Sequence, residues 1–216
     1  MARARWTAAD LTDLSGRTVV VTGGSGGLGK IIATELARVG ASVTLAVCDV
    51  AKGRAAAETM AGRTDVRALD LADLASVRAF AADWTGDLDI LINNAGIMQV
   101  PHGVTKDCFE LQMGTNHLGP FALTALLLPH IRQRVVTVSS QLQSGGHIHL
   151  DDLNGKHRAY NARTTRCRHT ATPNSRTLCS RCSSHARSPT PAVPCALSPQ
   201  TPASPAPSSP RTSAVP

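Results

Sequence analysis

One stretch limits the fold before any other: RTVVVTGGSGGLGKIIATELARVG, residues 17–40. The β-branched run at 17–23 ends in glycines and reads as a buried parallel strand. Residues 29–40 place apolar side chains at helical spacing and stop at Gly40, a helix C-cap. Between them, TGGSGGLGK satisfies two patterns, Gly24-x-Gly26-x-x-Gly29 and Gly23-x-x-x-Gly27-x-Gly29. Glycines allow a tight turn and a close backbone approach, and the helix start that follows offers unbonded N–H groups to an anion. Set at the first strand–helix crossover, the loop predicts a dinucleotide pyrophosphate site; a structural turn is the plainer alternative.

The alternation continues along the chain. Strands are expected at 42–47 (SVTLAV), 66–71 (VRALDL), 88–96 (LDILINNAG) and 134–140 (RVVTVSS). Helices are expected at 51–62, at 74–84 and over a long region at about 106–132. This pitch predicts an α/β fold with a parallel sheet covered on both faces. The longest apolar stretch, FALTALLLPHI at 121–131, is too short to span a bilayer. The basic N-terminal residues lack the apolar run of a secretory signal, so a cytoplasmic protein is expected. Cys48 and Cys108 stand alone in this part and are expected as reduced core thiols.

With TGGSGGLG, LDL, NNAG, TNHLG and VVTVSS in this order, the sequence resembles the short-chain dehydrogenases/reductases. HIHLDDLNG at 147–155 resembles the branch of retinol-dehydrogenase-like and WW-domain-oxidoreductase-like enzymes. The resemblance covers about residues 15–160. It implies a three-layer Rossmann fold holding about five of the family's seven strands, and hydride transfer between NAD or NADP and a small carbonyl or alcohol substrate. It assigns Thr22, Gly23, Ser25, Gly27, Leu28 and Gly29 to the pyrophosphate, and Asp70 and Leu71 to the adenine. Asn94, Ala95 and Gly96 border the adenine ribose; Asn116 serves the proton relay; Ser140 hydrogen-bonds the substrate oxygen. Taken singly, Asp70 also fits a helix N-cap, Asn94 a turn, Asn116 a kink before Pro120, and Ser140 a strand end. Nucleotide choice depends on the end of the second strand, where an acid takes the ribose diol and an arginine a 2′-phosphate. Here Val47-Cys48-Asp49 leaves NAD and NADP undecided.

The family's chemistry also requires a tyrosine with a lysine four residues on, sharing one helix face so that the ammonium lowers the phenol pKa. Tyr160 is the only tyrosine, Thr164 stands four residues later, and Lys156 is the last lysine. The pair is absent, and turnover is expected to be weak or nil. The composition changes at the same point. Residues 1–152 hold all 15 acids and 13 of the 22 Lys+Arg; residues 153–216 hold the other 9 bases and no acid. Ten of the 13 prolines lie at 173–216, and no Phe, Trp, Tyr, Ile, Met or Lys follows Tyr160. Such a segment has little apolar surface to offset its ordering entropy. The expected organisation is an incomplete Rossmann domain at 1–160 and a disordered Pro/Ser/Arg-rich tail at 161–216.

An out-of-frame origin is the expected cause of the tail. Read one nucleotide back, the codon for Thr170 gives Tyr or His, and that for Asn174 gives Lys, Glu, Gln or a stop, which permits the missing pair at its proper spacing. The family's last two strands would lie in that region, and without them a sheet edge is bare and the usual dimer is in doubt. Cys179-x-x-Cys182 has zinc-ligand spacing, but its Pro/Ser surroundings supply no supporting shell, so no metal is expected. The Arg-rich tail lacks aromatics for stacking, so specific nucleic-acid binding is not expected either.

Overall fold

The computed structural model describes residues 6–140 and 150–154. Five parallel strands form one sheet: β1 (Thr18–Thr22), β2 (Ser42–Val47), β3 (Arg63–Ala68), β4 (Leu88–Asn93) and β5 (Ile131–Thr137). Their order is β3-β2-β1-β4-β5. The chain therefore leaves β1 in one direction for β2 and β3, then returns past β1 to β4. The crevice between β1 and β4, where the winding reverses, is where doubly wound folds bind ligands.

Residues of β1 alternate between two cores, as the pleat requires. Val19 and Val21 pack with Val43, Leu45 and Val47 of β2 against Ala33 and Ala37 of α1 (Gly27–Arg38) and Ala56 of α2 (Val50–Ala57). Val20 faces the opposite way. It joins Val77 and Phe80 of α3 (Leu74–Ala82), Leu88 and Leu91 of β4, and Leu123 and Leu127 of a later helix. Two helices thus cover each face of the sheet, giving three layers.

Local chemistry fixes the helix ends. Gly40, at φ 95°, donates to Ala37 O while Ala41 donates to Leu36 O, closing α1 with a Schellman motif. Gly40 thus acts one position past the helix terminus. Asp49 caps α2 by accepting from Lys52 N, and Asp73 caps α3 by accepting from Ala75 N and Ser76 N. At the opposite end of the sheet, Asp89 accepts from Thr18 N (2.9 Å), Arg17 (3.0 Å) and Gln133 (2.9 Å). Burial works to raise its pKa, but these donors together outweigh it and hold the carboxyl below its ordinary value.

Several sequence expectations shift. The third strand lies at Arg63–Ala68, not 66–71. It is an edge strand with polar residues facing out: Arg67 pairs with Asp65 and lies 5.0 Å from the Trp84 ring centre. Its signal was therefore weaker than the apolar run just after it. The helix expected from 106 begins only at α4 (Leu111–Met113). Cys108 has φ 63°, which a helix cannot accommodate, and Asp107 is spent accepting from Leu74 N. From α4 the chain passes through a π-helical segment, Gly114–Leu118, into α5 (Gly119–Leu127). Pro129 lies beyond the helix end, and β5 starts three residues earlier than expected. Cys48 is exposed and Cys108 half-buried, so neither is a core thiol. No helix among the described residues is long and apolar enough to cross a membrane. Tyr160, Lys156 and the tail lie outside the described residues.

Candidate dinucleotide site

The glycine loop follows β1 directly, and the structure decides between its two patterns. Gly23 has φ 69° and Gly27 φ 52°, both left-handed. A Cβ on Gly29 would collide with Asn94 Nδ2 and lie 2.5 Å from Gly23 O. By contrast Gly26 has an extended φ of −167°, and a Cβ there would meet nothing nearer than Lys52 Nζ at 3.6 Å. The fold itself therefore demands Gly23-x-x-x-Gly27-x-Gly29. Gly26 is dispensable to packing, and its bare surface leaves the start of α1 open to a ligand.

At that start the first intrahelical bond runs from Lys30 N to Gly26 O (3.1 Å), and no side chain caps the helix. The N–H groups of Gly27, Leu28 and Gly29 precede that bond, where a pyrophosphate would receive them. Leu28 is exposed, Ser25 half-buried and Gly29 buried. The residues present fit the group that the sequence implies.

Thr22 ties the loop to the end of β4. Fully buried, its Oγ1 accepts from Asn94 N (3.0 Å) and Ala95 N (2.9 Å), and its carbonyl accepts from Asn94 Nδ2 (2.8 Å). Two strand ends on either side of the switch point are thereby locked together. Ala95 and Gly96 continue from there, half-buried. Asn116, in the π-helical segment, accepts from Ile97 N (2.7 Å) and donates to Ile97 O (2.8 Å). It is buried, and this two-way bond anchors the irregular helix to the segment after β4. A π segment is a frequent mark of function inside a helix. Thr22, Gly23, Gly27, Gly29, Asn94 and Asn116 thus belong to one connected assembly.

Two predicted adenine contacts lie differently. Asp70 follows β3; its Oδ1 accepts from Ala72 N (2.9 Å) and its own N–H donates to Ser76 Oγ (2.9 Å). It shapes the turn before α3 but does not cap that helix, a role Asp73 takes. Leu71 is buried in the second core, where a Cβ on Gly119 would strike its carbonyl. Ser140 is buried three residues past β5. Val138 N donates to Asn93 O (2.9 Å), so the segment bearing Ser140 leaves the sheet alongside the one bearing Asn94.

Sequence reading missed Lys52. Its Nζ and Cε stand 3.6 and 3.9 Å from the Cβ position of Gly26, so it reaches from α2 over the glycine loop. The signal was its place three residues after Asp49, within one helical turn of the end of β2.

The short chain dehydrogenase family profile matches residues 17–150. Human retinol dehydrogenase 13 is 46% identical over 166 residues, covering 71% of this chain and 50% of that protein. Human retinol dehydrogenase 11 is 45% identical over 166 residues, covering 71% and 52%. Among solved structures, an uncharacterized protein from Mycobacterium paratuberculosis is 56% identical with a TM-score of 0.73, covering 76% of this chain and 61% of that one. RhlG of Pseudomonas aeruginosa, solved with NADP in its active site, is 29% identical with a TM-score of 0.53, covering 64% and 57%. Three layers around a sheet of this order, with this glycine loop, define a doubly wound dinucleotide-binding fold. The chain belongs to the short chain dehydrogenase family. It spans about half the length of the curated relatives it matches.

Proposed function

We propose that this chain is the dinucleotide-binding part of an NAD(P)-dependent oxidoreductase acting on a carbonyl or alcohol substrate, and that on its own it turns over weakly or not at all. The observation that supports the first part is the Thr22–Asn94 clamp across the switch point, beside the uncapped start of α1. The structural neighbour solved with NADP supports the same reading. A bound nicotinamide would give a hydride to a carbonyl substrate or take one from an alcohol. The α1 amides and Ser25 would hold the pyrophosphate, Asn94, Ala95 and Gly96 the ribose, and Asp70 and Leu71 the adenine end. Asn116 would fix the helix bordering the nicotinamide end, and Ser140 would hydrogen-bond the substrate oxygen.

The second part rests on the missing Tyr-x-x-x-Lys. Losing a positioned general acid–base costs about 10²–10⁴-fold in rate, and no lysine follows Lys156 to lower another group's pKa. The division at residue 160, the out-of-frame origin of residues 161–216 and a cytoplasmic location belong to the same proposal. Calorimetric titration with NADH and NADPH tests the site; no heat of binding with either refutes it. Assay over aldehydes, ketones and alcohols tests the rest, since turnover at ordinary enzyme rates contradicts the inactivity. Codons unable to give Tyr and Lys in the shifted frame exclude the out-of-frame origin.

A further inference from the structure

The sheet has two edges, and they are built differently. β3 carries charges of both signs: Arg67 pairs with Asp65 and lies over the Trp84 ring. Such a self-paired charged edge resists further pairing. β5 carries cations alone. Arg132 is held by Asp87, while Arg134 has no ionic partner among the described residues. Val138 N bonds to Asn93 O, and alternate residues of a strand send their backbone groups the same way. The N–H and C=O of Val135 and Thr137 are therefore turned away from β4. Register sets Arg134 and Val136 beside Ile90 and Ile92 on one face of the sheet, and Val135 beside Leu91 on the other. Residues 134–137 are all exposed.

Charge separates the occupants this edge could take. A second copy brings the same two arginines and no acid in its β5, and like charges across paired strands are destabilising. The chain's own C-terminal sequence is no better matched. Residues 153–216 hold nine bases, no acid and ten prolines, and proline cannot donate to a ladder. The complement to β5 is an extended segment with carboxylates and apolar side chains, and it has to come from another polypeptide.

We propose that the outer edge of β5 is a docking site for an extended acidic segment of another protein, which adds as a further strand with a carboxylate beside Arg134 and apolar side chains beside Val135 and Val136. Backbone bonds to Val135 and Thr137 supply the affinity, and the flanking side chains supply the selectivity. The guanidinium of Arg134 offers a fork of donors that a carboxylate can take in pairs. Exchanging acids for bases in the incoming strand turns attraction into repulsion, a difference of about tenfold in affinity. That difference shrinks as salt screens the pair.

The test uses the full chain and two fluorescently labelled, end-blocked peptides: the β5 sequence itself, Ile131–Thr137, and the same seven residues with glutamate at both arginine positions. By fluorescence anisotropy the acidic peptide is expected to bind about tenfold tighter than the basic one. Arg134→Glu is expected to remove that margin; Arg134 is exposed and makes no ion pair, so the variant keeps the fold. Val135→Pro deletes an outward N–H and leaves the bonds to β4 in place. It is expected to weaken the acidic peptide at least about tenfold at an unchanged melting temperature. Equal affinity for the two peptides, binding of neither, or a margin that Arg134→Glu leaves intact overturns the inference. So does binding that survives Val135→Pro, which places the peptide elsewhere on the chain. A dimer in light scattering that Val135→Pro disperses gives the edge to a second copy and overturns it as well.

Discussion

Replacing Thr22 by valine keeps the shape of a fully buried side chain and removes one oxygen. That oxygen accepts two backbone N–H groups, those of Asn94 and Ala95, and both lose their partner. An unsatisfied buried donor costs about 1–3 kcal/mol. Asn94 is buried and incurs the full cost; Ala95 is half-buried and can recruit water, so it sits at the low end. The added methyl returns about 0.8 kcal/mol through burial. The bond from Thr22 Oγ1 to Ile92 O, at 3.4 Å, is too long to change the balance. The net is a loss of about 1–3 kcal/mol, or about 3–9 °C in melting temperature for a folded unit of this size. Thr22→Ser keeps the oxygen and gives up only the methyl, so it is expected to lose about 1 kcal/mol. Urea unfolding followed by far-UV circular dichroism measures both variants. Because the clamp also positions the segment after β4, Thr22→Val is expected to bind NADPH more weakly than Thr22→Ser. If Thr22→Val unfolds within about 0.5 kcal/mol of the parent, the hydroxyl is not the tie between β1 and β4, and the account of the site fails.

Other predictions separate folding from binding. Gly29→Ala drives a methyl into Asn94 and the Gly23 carbonyl, and is expected to cost about 1–3 kcal/mol in denaturant unfolding despite alanine's better helix propensity. Gly26→Ala meets open space at an extended φ. Its stability should stay within about 0.5 kcal/mol of the parent while NADPH affinity drops, since the methyl crowds the start of α1. Asn116→Ala strips both partners from the Ile97 backbone and is expected to cost about 2–4 kcal/mol. Asp89, its pKa lowered in the fold, contributes stability present above the unfolded value of about 4 and lost as pH falls through the folded value. Asp89→Asn is expected to be less stable at pH 7 and to show a flatter decline in melting temperature between pH 5 and pH 2.

The parts legible in the sequence were those where one local force dominates. The run Thr18–Thr22 must be a buried strand because its branched side chains fill both cores at once. Gly40 had to end α1 because its left-handed backbone points straight at Ser15, where a Cβ would lie 2.5 Å from the hydroxyl. The Asp70 and Asn116 alternatives resolved only in three dimensions. Capping depends on Asp73 standing one turn nearer α3, and the role of Asn116 depends on Ile97, nineteen residues away. Composition could not locate the start of α4 either. Only Lys106 and Glu110 of residues 106–110 favour a helix, and Lys106 and Asp107 are drawn to the α3 terminus by Asp73 and Leu74 N, long-range partners that the local pattern does not reveal.

The same reasoning accounts for the asymmetry of the sheet. β1, at its centre, is flanked on both sides and covered on both faces, and three of its valines are fully buried. β5, at the edge, pairs among the described residues with β4 alone, and Val135 and Val136 are 36% and 40% exposed. An apolar β-branched pair in that setting has the composition of an interior strand without its neighbours. Exposed apolar edges template association, so the interior character of β5 is informative about the fold this sequence was built for. At the end of the sheet beside the glycine loop, in contrast, loop, clamp and helix start are all held by described residues between Thr22 and Asn116. Under the proposed function, a chain that keeps these residues but lacks the Tyr–Lys pair binds a cofactor without ordinary turnover.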